Sequence, residues 1–192
     1  MKLILASASP RRSELLGRAG VRFEVLPADV DERALPGEAA RDYAARVAET
    51  KAETVRRARP DAWVLGADTI VVVAETEILG KPEAPAQAAA MLARLSGRSH
   101  VVMTATCLLG PDGESRRLVE TEVVFRALGL DEIASYVDGG EWHGKAGGYA
   151  AQGQAAAFVA AIHGSYTNVV GLPLSETLID LSRLGVAVPR YA

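Results

Sequence analysis

The chain has one cysteine, Cys107, only three histidines and an aromatic content of 5%. One thiol builds neither a disulfide framework nor a thiolate metal cluster, and it fits a reducing compartment. The histidines, His100, His143 and His163, are too scattered for a zinc motif of the H-x-x-x-H type. No apolar run approaches the ~20 residues of a membrane span, and the first residues lack a signal-peptide layout, so a cytosolic (cytoplasmic) location is expected. Positive charge is not in excess: 21 Lys plus Arg stand against 24 Asp plus Glu, a formal charge of −3. A general nucleic-acid binder needs a basic surface that displaces counterions, so neither nucleic acid nor membrane is expected as a partner.

Lysine is also scarce. Of the 21 basic residues four are lysines, at positions 2, 51, 81 and 145, and the other 17 are arginines. Against such a bias a lysine marks a place suited to a compact point charge that reaches one phosphate oxygen, which a rigid guanidinium fork serves less well. Chance placement is the alternative. What is abundant is ordinary: 192 residues, 49% hydrophobic and 23% charged, can bury one sizeable core. A single domain over residues 1–192 is expected.

Periodicity and punctuation predict the elements. Lys2–Ala6 reads as a buried strand, and a helix follows with Ser9 as N-cap and Pro10 at its first position, stopped by Gly20. Val21–Leu26 reads as a second strand, Pro27–Glu38 as a polar loop, and Ala39–Arg59 as a long helix ended by Pro60. Ala62–Val73 is an apolar, β-branched strand, followed by a short strand up to Gly80 and a helix over Ala84–Leu95 whose Met91, Leu92 and Leu95 are core residues. His100–Leu109 and Arg116–Ala127 are strands joined through Gly110-Pro111-Asp112-Gly113, a hairpin signal. Leu130–Val137 is a helix, Gly139–Gly153 a glycine-rich stretch, Ala156–His163 a strand and Leu172–Leu184 the last helix. Strands and helices mix without strict alternation, which points to an α/β fold with a mixed twisted sheet, flanking helices and a cleft.

Several stretches carry chemistry-bearing residues. Ser7-Ala8-Ser9-Pro10-Arg11-Arg12 puts two arginines at the positive end of a helix dipole, an unfavourable place for cations unless an anion joins them. The alternative is a capped helix with solvated arginines. Asp68, flanked by apolar residues in Gly66-Ala67-Asp68-Thr69, is costly to bury unless paired or metal-bound; it could hold Mg²⁺ or activate a water, or be satisfied by backbone amides at a bend. Gly80-Lys81-Pro82 offers close approach and a point charge, or is an exposed turn. Lys145 to Gly153 combines glycines, an aromatic and Gln152, whose amide can read a base edge with donor and acceptor. A flexible hairpin is the other reading. The acidic loop with Asp29, Asp31 and Glu32 is either a solvated surface or a source of metal ligands. Cys107 lies mid-strand in an apolar run and reads as core. Hydroxyls and arginines at a helix start, an isolated aspartate, scattered lysines and a glycine-rich loop with Gln together describe a metal-dependent site for a polyphosphate on a planar base.

The segments LASASPRRSELL, LGADTIV, ILGKP, LSGRSHVVMTA, GKAGGYAAQG and GSYTNVVGLPL, in this order from residue 5 to residue 174, resemble the Maf family of nucleoside triphosphate pyrophosphatases. The resemblance implies hydrolysis of a nucleoside triphosphate between the α and β phosphates, a divalent cation (Mg²⁺ or Mn²⁺), and an elongated two-lobed domain with a central cleft, related to inosine triphosphatases. It makes Asp68 the catalytic carboxylate that takes the proton of water. It places Ser7, Arg12, Glu32, Lys51, Lys81 and Lys145 among the phosphate- and metal-binding positions, with Glu32 and Asp68 as metal ligands, and Arg11, Thr69 and Gln152 at positions that set base preference. Asp68-Thr69 and Gln152 resemble the dTTP and UTP branch rather than the branch acting on 7-methyl-GTP, which looks like Asp-Gln. Ala151 departs from the bulkier aliphatic usual there. The family is also linked to septum formation, so a nucleotide-sensing regulator is the rival expectation. A nucleotidyltransferase would need an acceptor pocket that the sequence does not show. Dimers are common among such relatives, which makes a homodimer an expected assembly.

Overall fold

The structure, a computed structural model, describes residues 2–74, 76–186 and 188–189. The elements run β1 (Leu3–Leu5), α1 (Pro10–Arg18), β2 (Glu24–Val25), α2 (Ala40–Ala58), β3 (Trp63–Val73), β4 (Glu77–Leu79), α3 (Pro85–Leu95), β5 (Ser99–Leu109), β6 (Glu114–Phe125), α4 (Leu130–Asp138), β7 (Val159–His163), α5 (Tyr166–Val170) and α6 (Leu174–Arg183). The strands form a seven-stranded sheet in the order β2-β1-β3-β5-β6-β7, with β4 paired to β3. It is mixed: β1 runs parallel to β2 and β3, whereas β3–β4 and β6–β7 are antiparallel. No helix among the described residues is long and apolar enough to cross a membrane.

The chain divides into two compact units. The first comprises Met1–Asp68, Thr104–Val119 and Gly171–Ala192. Its core joins Leu3 and Leu5 of β1, Leu16 of α1, Trp63 and Leu65 of β3, Leu108 of β5 and Leu181 of α6. Helix α2 belongs to this unit and buries a stripe of Ala44, Val47, Ala48, Lys51, Ala52 and Val55, the spacing of one helix face. Small residues along that stripe let the helix backbone come close to β3. At Gly66 a Cβ would lie 2.2 Å from the Ala48 carbonyl oxygen and 2.7 Å from the Ala52 nitrogen, so only glycine fits. Cys107 is buried here, and burial pushes its thiol up to about 12.

The second unit comprises Thr69–Met103 and Glu120–Val170. Leu92 and Leu95 of α3, Val102, Phe125, Ile133, Tyr136, Trp142, Tyr149 and Phe158 form its core, with Met91 partly buried against them.

Three expectations need correction. The second strand shrinks to Glu24–Val25, because Val21 N donates to the Leu16 carbonyl and, with Gly20 at φ +69°, completes the end of α1 instead. The last strand starts at Val159 rather than Ala156, since Gln154–Phe158 wind into a 3-10 turn in which Ala156 N donates to Gly153 O. Helix α5, absent from the sequence reading, forms at Tyr166–Val170, where the Ser165 hydroxyl accepts from Asn168 N at 3.3 Å. The Gly110–Gly113 hairpin is as expected, closed by Gly110 N donating to Gly113 O at 2.9 Å.

Candidate active site

In the first unit the end of β1, the start of α1, the acidic loop, α2 and β3 bring Ser7, Arg12, Glu32, Lys51 and Asp68 together. Lys51 is the link. It occupies one position of the otherwise apolar buried face of α2, and the close approach at Gly66 sets that face against β3 two residues before Asp68. Lys51 Nζ donates to Asp68 Oδ1 at 2.8 Å and pairs with Glu32 Oε1 at 2.7 Å. Lys51 and Asp68 are each 6% exposed, so the cost of burying either charge is offset by the other. Asp68 is therefore ion-paired rather than merely amide-capped at a bend.

Arg12 is buried, not solvated. Its Nε donates to the Gly171 carbonyl at 2.8 Å and its Nη1 to Ser7 Oγ at 2.9 Å. Burial lowers the pKa of its guanidinium; the charges of Asp68 and Glu32 push it back up and that of Arg11 lowers it further. Arg11 beside it is likewise lowered by burial. Ser9 holds the N-cap position without a capping side-chain bond; its backbone N–H instead donates to Ser7 Oγ at 3.2 Å. Both arginines thus sit at the N-terminus of α1, where backbone N–H groups also favour an anion.

From the acidic loop Glu32 joins this cluster through Lys51. Asp31 is paired with Arg33 at the surface, which holds its carboxyl down at about 2. Sequence reasoning missed two residues of α2 that fix the loop. Tyr43 donates its hydroxyl to the Glu32 carbonyl at 2.7 Å, and Arg46 donates to the Arg33 carbonyl at 3.0 Å while gripping Glu38 with two nitrogens. Burial and the Asp68 and Glu32 charges push the Tyr43 phenol up to about 12, so it stays a donor. An aromatic on the loop-facing side of a helix that follows an acidic loop was the available signal.

Thr69, Lys81, Lys145 and Gln152 belong to the second unit. Thr69 is a half-buried residue of β3; Lys81 and Gln152 are exposed. Gly147 N donates to Gly80 O at 3.0 Å, which joins the Lys81 turn to the Lys145 loop. Gly147 at φ +68° lies so near Val71 that a Cβ would be 3.0 Å from its side chain. Tyr149 is buried against Phe125 and His100 instead of facing outward from the loop.

No group of three or more His, Cys, Asp and Glu side chains able to hold a metal occurs among the described residues. The pair Glu32 and Asp68 nevertheless suits a hard cation such as Mg²⁺ or Mn²⁺. Such an ion takes one or two carboxylates, keeps several waters and completes its shell with substrate phosphates.

A family model described as Maf-like protein matches residues 2–184. A curated dTTP/UTP pyrophosphatase of Myxococcus xanthus (strain DK1622) is 50% identical over 187 residues, covering 97% of this chain and 94% of the relative. Proteins of the same name from Syntrophus aciditrophicus (strain SB) and Geobacter sulfurreducens (strain ATCC 51573 / DSM 12127 / PCA) are each 50% identical over 186 residues. They cover 96% of this chain, and 90% and 97% of the respective relatives.

Proposed function

From the premise that the chain belongs to the Maf family, we propose that it hydrolyses dTTP and UTP to the nucleoside monophosphate and pyrophosphate in the cytosol. The observation that carries this reading is the buried Lys51 ammonium held between Glu32 and Asp68, in the unit where Arg12 of α1 donates to Ser7 in the loop before it.

Asp68 accepts the proton of the water that attacks the α-phosphorus. Arg12, Lys51 and Lys81 offset the negative charge that grows on the pyrophosphate leaving group. Ser7 and Lys145 bind phosphate oxygens, while Arg11, Thr69 and Gln152 set the choice of base. Glu32 and Asp68 would hold the divalent cation, which when bound polarises the phosphoryl group and neutralises its charge. Burial makes the charges of Arg12 and Lys51 count for more than they would at a wet surface.

Pyrophosphate release from a panel of canonical and modified nucleoside triphosphates tests the reading. The highest kcat/KM is expected for dTTP and UTP. A higher value for 7-methyl-GTP would end the pyrimidine assignment, and stoichiometric nucleotide binding without monophosphate formation would instead identify a sensor.

A further inference from the structure

His100 is a buried, titratable side chain that the proposed chemistry does not use. It is 3% exposed at the start of β5, and Tyr149, in the glycine-rich loop, is 6% exposed. His100 Nε2 and Tyr149 Oη are 2.7 Å apart. Phe125 packs edge-on against both rings, with centroids 5.0 Å from His100 and 4.9 Å from Tyr149. Packing alone does not account for the two polar atoms. A leucine and a phenylalanine would fill this apolar core without the cost of desolvating an imidazole and a phenol. That cost is present: His100 Nδ1 is buried without a hydrogen-bond partner among the described residues. Burial pushes the imidazole down to about 4, so it is neutral near pH 7.

What the polar pair does is visible from the loop. Next to Tyr149, Ala150 N donates to Tyr136 Oη at 3.1 Å, and Gln154 N donates to Glu141 Oε1 at 3.2 Å. At the other end the Gly147–Gly80 backbone bond fixes the approach to the Lys81 turn. Lys145 and Gln152 therefore flank a stretch whose middle is tied to two buried side chains, by Ala150 N to Tyr136 Oη and by the loop's own Tyr149 Oη to His100 Nε2.

We propose that His100 is a positioning residue: through its bond to Tyr149 it holds the 145–152 loop in the form in which Lys145 and Gln152 meet the nucleotide. This rests on the reading of that loop given under the proposed function. The loop is thereby ordered before substrate arrives, so binding does not have to supply the ordering.

The test separates positioning from plain stability. Tyr149→Phe leaves His100 Nε2 buried and unpaired, so it lowers both Tm and substrate affinity. The double variant His100→Leu/Tyr149→Phe removes both polar partners, and Tm returns towards wild type. The proposal expects the double variant to keep a KM for dTTP raised roughly tenfold at nearly unchanged kcat, the scale of one net hydrogen bond. It also expects faster hydrogen exchange of the amides of 147–153 in the nucleotide-free double variant. A KM that recovers together with Tm overturns the proposal, and so does unchanged loop exchange. Gln152→Ala, which leaves the anchors in place, shows which inference has failed: if it too leaves KM for dTTP and UTP unchanged, the loop is not a nucleotide contact and the functional reading of it falls. If Gln152→Ala raises KM while the double variant does not, His100 is not the residue that positions the loop.

Discussion

Lys51 Nζ stands 2.7 Å from Glu32 Oε1 and 2.8 Å from Asp68 Oδ1, one ammonium shared by two carboxylates that are 36 positions apart in the chain. Removing it leaves two like charges facing each other, one of them buried. Lys51→Met is expected to cost about 3 kcal/mol in urea unfolding at pH 7, the scale for breaking a buried pair from one side. Millimolar Mg²⁺ should then raise Tm more in Lys51→Met than in the wild type, since a cation that binds only the folded state stabilises it. An equal Tm response in both proteins would argue against Glu32 and Asp68 as ligands.

Asp68→Asn keeps the shape of the side chain and one acceptor oxygen but removes its charge and basicity. Pyrophosphate release should fall by about 10²- to 10⁴-fold, the range for a general base, while calorimetry still detects nucleotide binding. Wild-type-like turnover in this variant would overturn the assignment of the base.

Gly66→Ala tests the close packing that delivers Lys51. The new Cβ would be 2.2 Å from the Ala48 carbonyl oxygen, so α2 must shift. A loss of about 1–3 kcal/mol is expected from overpacking, with kcat/KM falling as Lys51 moves off Asp68. Gly17 on the exposed side of α1 has nothing within 4 Å of its Cβ direction. Gly17→Ala is the control, and it should gain up to about 1 kcal/mol from helix propensity.

The depressed pKa of His100 predicts a pH dependence with a definite sign. Its imidazole titrates near 4 when folded against 6.5 in the reference state. Between those values the unfolded chain binds the extra proton, so stability is fully present above about pH 6.5 and declines as pH falls towards 4. The loss approaches about 3 kcal/mol, and Tm measured from pH 7 to pH 4.5 should fall less steeply in His100→Leu than in the wild type. Parallel profiles would place the titration elsewhere.

Much of this arrangement is legible in the sequence because local rules govern it. Pro10 and Gly20 bracket α1, Pro60 follows α2, and the Gly110–Gly113 turn closes the β5–β6 hairpin. Asp68 stands out since a lone carboxylate in an apolar strand needs a partner. Which partner it takes is a tertiary fact. The scarcity of lysine marks Lys51, but its partners emerge only with the stripe of Ala44, Val47, Ala48, Ala52 and Val55, of which it is the one charged member. Gly66 gives no local sign of its role either, because the clash it avoids is with a helix backbone. Where local pattern assigns nothing, tertiary bonds decide, as at Tyr166–Val170. Asn168, buried and donating to the Val102 carbonyl and to Thr121 Oγ1, holds them as a helical turn.

Cys107 has a practical consequence. Its thiol is shielded and held almost wholly protonated at neutral pH, and the chain contains no other. A chromogenic sulfhydryl reagent therefore meets its target only when β5 or its neighbours transiently part. The unmodified protein carries its own clock for the breathing of the unit that holds Asp68, one that can be started and read with no engineered label and with the nucleotide present or absent.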